Sequence, residues 1–242
     1  MIIKEVNYDF FYNSLDDLDF AIFDFDGTVY PRLFLYDLVV KVFEIKEEPI
    51  RTEKLKRLNH INNLYSENKF REAYLEFLDI LRFEKKEEFV EITNKLLNNI
   101  YKYAEITVKK LHKKYDLDLY LISVTSDFVA KAVIKKLDMQ GFEAINFLTV
   151  KKDGSLFFNG SSDLIIDTPK VMKELLLKRL FSRIDNKKKF VCFVNSEDDL
   201  PIVERASLKV GINPTKELLD KSKLDMVMID RIDPWIKFCE LL

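Results

Sequence analysis

The sequence predicts an α/β fold: a doubly wound parallel sheet with an α-helical bundle inserted after its first strand. Three observations lead there. Short apolar runs recur between turn signals, helical patterns separate them, and one long glycine-free stretch carries helical spacing alone. The first run, Phe20–Phe25, overlaps Asp24-Phe25-Asp26-Gly27-Thr28. Leu117–Val124, Phe190–Val194 and Leu208–Ile212 follow, with Met226–Ile229 near the end. They are continuous rather than alternating, as expected of parallel strands covered on both faces. Helical patterns over Phe128–Leu137, Pro169–Leu180 and Leu200–Ala206 alternate with them, which is the order of a doubly wound sheet.

Residues Pro31–Tyr103 read differently. They contain no glycine and one internal proline, Pro49. Leu55, Leu58, Ile61 and Leu64 form one apolar face; Tyr74, Phe77, Leu78 and Leu81 form another. About four bundled helices are expected there. The expected division is a core of residues 1–30 and 105–242 with a helical unit over 31–104. Phe147–Val150 and Leu156–Phe158, either side of Lys152-Asp153-Gly154-Ser155 and followed by Asn159-Gly160, read as a small β-hairpin.

Composition removes several function classes. A length of 242 residues with 48% hydrophobic content supports a sizeable core. A net charge of −2 gives no general attraction to nucleic acid or acidic membrane. Five glycines in all, none in a phosphate-loop pattern, argue against a Walker-type nucleotide site. His60 and His112 stand alone in charged helical sequence, so a histidine metal site or triad is poorly supported. Cys192 and Cys239 lack disulfide spacing and suggest reduced thiols in a cytoplasmic protein. Met1-Ile2-Ile3 is cut short by Lys4 and Glu5, so no leader is expected, nor any membrane-spanning run. Lys187-Lys188-Lys189 reads as a solvated turn.

Asp24 and Asp26 carry the chemical signal. Two carboxylates at the end of a buried strand, before a glycine turn, can both face the crevice where open α/β sheets bind ligands. One can act as nucleophile and the other can carry protons, with a hard cation offsetting their charge. An ordinary Asp-Gly turn is the competing reading of this segment alone.

Three further segments complete a pattern: Ser123-Val124-Thr125-Ser126-Asp127-Phe128 at a strand-to-helix junction, Lys170 after Thr168-Pro169, and Val194-Asn195-Ser196-Glu197-Asp198-Asp199 after a strand. Taken singly, each has a plain reading as a helix cap, a surface lysine or an acidic helix start. In this order, the four segments resemble those of haloacid dehalogenase (HAD) superfamily phosphatases, in the phosphoserine phosphatase-like branch with a helical cap. The resemblance covers nearly the whole chain from about residue 20.

The resemblance implies a Mg²⁺-dependent phosphatase acting on a small phosphorylated metabolite through an aspartyl-phosphate. Asp24 would be the nucleophile and Asp26 the acid and then base. Thr125 would bind a phosphoryl oxygen, aided by Ser126 and the following helix start. Lys170 would neutralise the phosphate. Asp24, the Asp26 carbonyl, Asn195 and Asp199 would hold the metal.

Two departures stand out. Asn195 replaces the usual first acid of the fourth motif, which implies weaker metal binding. Tyr30-Pro31-Arg32-Leu33-Phe34-Leu35 and Ser126-Asp127 lack the acid and the glycines that serve phosphoserine in that branch; Arg32 offers a positive group for an anionic substrate instead. Two other readings stay open: a phosphotransferase, and a degenerate HAD-like protein that binds without turnover. The sequence does not indicate oligomeric state.

Overall fold

A computed structural model describes residues 8–67, 69–82, 84–145, 148–150, 156–158 and 168–242. Helix α1 (Tyr8–Leu15) leads into strand β1 (Phe20–Phe23), whose four residues are all buried. Helices α2 (Phe34–Glu44), α3 (Ile50–Ser66), α4 (Phe70–Leu81) and α5 (Lys86–Leu96) follow, and α6 (Lys102–Tyr115) returns the chain to β2 (Asp118–Ser126). Then come α7 (Asp127–Leu137), β3 (Gly141–Ile145), and the antiparallel pair β4 (Leu148–Val150) and β5 (Leu156–Phe158). Helix α8 (Pro169–Phe181), β6 (Phe190–Val194), α9 (Leu200–Val203), β7 (Leu208–Ile212), α10 (Lys216–Lys221), β8 (Met226–Met228) and α11 (Ile236–Leu241) complete the chain.

Six strands form one sheet in the order β3-β2-β1-β6-β7-β8, with every pairing parallel. β1 is central: Phe23 lies opposite Leu121 on β2 and Phe193 on β6. Phe23 and Phe193 stack at 4.7 Å between ring centres, and Trp235 closes over Phe193 at 5.1 Å. The chain proceeds outward through β2 and β3 on one side, and through β6, β7 and β8 on the other. The strand order therefore reverses at β1 and β6, and such a switch point opens a crevice beyond the carboxyl ends of the strands.

The inserted helices pack α2 against α3 and α5, and α3 against α4. Leu58, Ile61 and Leu64 of α3 and Phe77, Leu78 and Leu81 of α4 are buried, as their spacing predicts.

The expected strands over 190–194 and 208–212 match observed bounds. The first strand stops at Phe23, where the chain turns and the Asp24 amide donates to the Phe193 carbonyl at 2.9 Å. The helix expected over Leu200–Ala206 is shorter: a 3₁₀ turn spans Glu197–Asp199 and α9 covers Leu200–Val203. β3 was not anticipated. It is a short edge strand interrupted by Glu143, which is buried and paired with Arg183. Of the expected hairpin, β4 and β5 pair as read; Phe147, the turn and Asn159-Gly160 lie outside the described residues.

Candidate active site

Asp24 leaves the end of β1 and is 2% exposed. The segment after it folds into one tight turn, with the Val29 and Tyr30 amides both donating to the Phe25 carbonyl at 2.9 Å. Gly27 adopts φ +78°, a left-handed conformation that side-chain-bearing residues resist. A Cβ there would come within 1.9 Å of Asn195 Nδ2, so the glycine also lets Asn195 approach from the end of β6.

Asp24 accepts from Thr28 Oγ1 at 3.0 Å through one oxygen and from Lys173 Nζ at 2.6 Å through the other. Lys173 also donates to Asp199. Asp26 is less enclosed, and its Oδ1 accepts from the Phe34 amide at 2.6 Å, the first residue of α2. The acid pair is thus fastened to the sheet on one side and to the helical insert on the other.

The electrostatics follow from crowding several carboxylates around one ammonium. Burial, and after it the Asp199 carboxylate, push the Asp24 carboxyl up to about 7 in spite of Lys173. Burial likewise pushes Asp26 up to about 6, against the hydrogen bond from Phe34. For Lys173 burial works downward, but the Asp199 and Asp24 carboxylates outweigh it and hold the ammonium above its ordinary value.

A cavity of about 400 Å³ opens over these strand ends. Asp24, Asp26, Ser123, Thr125, Lys173 and Asn195 line its floor. Thr125 Oγ1 is buried and has no hydrogen-bond partner among the described residues. Its amide donates to Ser123 Oγ at 3.2 Å, inside a register shift of β2 against β3. A buried hydroxyl left open at a cavity wall is suited to an oxygen-rich ligand.

The structure brings together Asp24, Asp26, Thr125 and Asn195 as expected, and Asp199 beside them. Lys170 is a correction. It sits in the first turn of α8, exposed, with its backbone amide toward Asp198. The lysine that meets Asp24 is Lys173, one turn further along α8. The buried stripe of that helix is Met172, Lys173, Leu176, Leu177 and Leu180, so a lysine on the apolar face was the signal available in the sequence.

Asp199 is a second correction. One of its oxygens bonds Lys173 and the other accepts from the Asn195 and Ser196 amides at 3.2 and 3.1 Å. Asp199 is fully buried and, unlike Asp24, does not line the cavity among the described residues, so it braces Lys173 from behind instead of facing a cation. Arg32 is a third. Its side chain is 71% exposed, pairs with Asp37 at 3.0 Å and does not line the cavity among the described residues. Ser126 caps α7 without a side-chain hydrogen bond; its buried hydroxyl is unpartnered among the described residues but does not reach the cavity. Thr28, missed in the sequence, is the hydroxyl donor to Asp24.

No protein-family profile matches the chain, and no curated protein aligns with it. Solved structures do. A protein of unknown function from Bordetella pertussis Tohama I superimposes with a TM-score of 0.69 at 16% identity, covering 84% of this chain and 93% of the other. A phospho-aspartyl intermediate analogue of phosphoserine phosphatase gives 0.65 at 19% identity, covering 92% and 99%. A HAD family hydrolase from Salmonella enterica serovar Typhi gives 0.64 at 14% identity, covering 91% and 75%. Together with the six-stranded parallel sheet and its helical insert, these likenesses show that the chain has the fold of HAD hydrolases in its phosphoserine phosphatase-like form.

Proposed function

We propose that this protein is a phosphatase that hydrolyses a small phosphomonoester through an aspartyl-phosphate. One observation carries the reading: Asp24, Asp26, Lys173 and the unpartnered Thr125 hydroxyl converge on one cavity at the switch point of the sheet. A structural turn has no need of two acids on one cavity floor whose carboxyls are driven upward.

In the first step an Asp24 carboxylate oxygen bonds to phosphorus as the bond from phosphorus to the ester oxygen breaks. Asp26 gives its proton to that leaving oxygen. In the second, water attacks the phosphoaspartate, passes a proton to Asp26, and releases inorganic phosphate with Asp24 restored. A carboxyl near pH 6 suits both halves of this cycle at neutral pH. Lys173 offsets charge on the phosphoryl oxygens, and Thr125 Oγ1 donates to one of them. Residues 31–104 act as a cap that shields the intermediate from bulk water.

A divalent cation fits the donors present. Asp24, Asp26 and Asp199 outnumber the ammonium of Lys173, and after burial the Asp199 carboxylate is the next cause that raises the Asp24 carboxyl. Among the described residues no three His, Cys, Asp or Glu side chains are arranged to hold a metal. The ligands would be the Asp24 carboxylate, the Asp26 carbonyl and the Asn195 amide oxygen, hard donors suited to Mg²⁺. Bound there, the ion would supply positive charge against the phosphoryl group. Both cysteines are buried and unpaired, which fits the reducing cytoplasm as the compartment; no helix among the described residues is long and apolar enough to cross a membrane.

The test is release of phosphate from p-nitrophenyl phosphate with and without Mg²⁺, for the wild type and Asp24→Asn. Metal-dependent turnover lost in the variant is the expected result. Turnover that survives Asp24→Asn removes the nucleophile from this scheme.

A further inference from the structure

We propose that the ester cleaved here carries an apolar alcohol, a short alkyl or aryl group, rather than an amino acid or a sugar. The inference rests on the phosphatase reading and concerns the half of the cavity that reading leaves undescribed. Among the described residues, the charged groups lining the cavity are Asp24, Asp26, Lys173 and Asp198, all on the sheet side. The helical insert contributes no charge to it. Its walls are Leu33 and Leu35 at the start of α2, Leu58, Ile61 and Tyr65 of α3, and Phe77 of α4.

This wall is not simply bundle interior turned outward. Leu33 is 67% exposed and Tyr65 43% exposed, yet both border the cavity. They share one cavity lining with Leu35, Leu58, Ile61 and Phe77, and an apolar patch of that kind marks a binding site. The polar groups that the insert adds are uncharged: the Asn62 amide and the hydroxyls of Tyr36 and Tyr65. Against the insert, an ammonium or carboxylate on the leaving group would lose water without gaining an ionic partner from that wall; among the described residues the acid that acts on Tyr65 there, Asp198, stands on the sheet side. Arg32, the cation nearest in sequence, is engaged outside with Asp37. At about 400 Å³ the cavity lies toward the small end of ligand sites, which favours one short apolar group over the paired chains of a membrane lipid.

The experiment measures kcat/KM for ethyl, butyl, hexyl and octyl phosphate, whose leaving alcohols have nearly equal intrinsic reactivity. Phosphoserine and glycerol 3-phosphate serve as polar counterparts. Each added methylene should raise kcat/KM by up to about fourfold until the cavity is filled. Both polar esters should fall roughly tenfold or more below hexyl phosphate. Leu33→Asp, at an exposed position that a charge can occupy without unfolding the chain, should flatten the chain-length gradient. Asp24-dependent turnover with no gradient, or with phosphoserine preferred, overturns the inference while leaving the phosphatase intact. Absence of turnover on every ester overturns the phosphatase reading and this inference with it.

Discussion

Replacing Lys173 with methionine removes the ammonium that faces both Asp24 and Asp199. The methionine fills similar volume on the buried stripe of α8, so the effect is mainly electrostatic. Removing one partner from a buried charge pair costs about 3–5 kcal/mol, because the charge left behind has no compensation. Two features place this case near the lower end. Asp24, already pushed up to about 7, can take up a proton, and Asp199 keeps its two backbone donors. A loss of about 3 kcal/mol in a chain of this length corresponds to a fall in melting temperature of roughly 10 °C. Phosphatase activity should fall by about 10²–10³, the scale for losing one charge-stabilising group from a transition state. Lys170→Met is the matched control: exposed and a turn away, it should change stability by less than about 0.5 kcal/mol and leave turnover intact. The double variant Asp24→Asn/Lys173→Met should regain roughly half of the lost stability, since one of the two stranded charges is gone. Calorimetry in EDTA and phosphate release in Mg²⁺ read the two quantities separately. If Lys170→Met abolishes turnover while Lys173→Met melts with the wild type, the account of this cluster is refuted.

Gly27→Ala should destabilise the protein by about 1–2 kcal/mol, since alanine resists φ +78° and its methyl would displace Asn195; denaturant titration checks this, and a raised Mg²⁺ requirement should accompany it. Asn195→Asp should lower the Mg²⁺ concentration for half-maximal turnover, and an unchanged requirement would remove residue 195 from the metal shell. Asp26 supplies a pH dependence. Its folded-state carboxyl is raised from 3.8 to about 6, so the folded chain holds a proton that the unfolded chain releases. The stabilisation from that proton is therefore lost as pH rises from about 4 to about 6. Asp26→Asn should then stabilise the metal-free protein at pH 7 by about 2 kcal/mol, allowing for the partial exposure of the carboxyl, and flatten the curve in urea titrations.

The parts of this molecule that a reader of the sequence can find are those written locally. β6 and β7 are apolar runs with polar ends, so their bounds are plain. Asp24, Asp26 and Thr125 interrupt or end such runs, and a polar group at a strand end in an α/β order points at the crevice. Lys173 and Asp24 are 149 residues apart, and no local signal joins them. Proximity to Pro169 favours Lys170, whereas helical phase selects the lysine three positions on. Asp199 illustrates the same limit: its spacing matches a ligand, but the way its oxygens are shared depends on the 3₁₀ turn and on a helix elsewhere in the chain. β3 is hard to see because an edge strand needs apolar cover on fewer sides, and Glu143 breaks its run.

Trp235 is the single tryptophan of the chain, fully buried, and its indole Nε1–H donates to the Thr28 carbonyl at 2.9 Å. Thr28 in turn holds Asp24. The protein thus contains an intrinsic fluorophore wired through one residue to the Asp24 carboxylate. Cation entry or phosphorylation at Asp24 that shifts this turn would register in ultraviolet emission, so stopped-flow measurements can follow the site on the native polypeptide without a dye or a chromogenic ester.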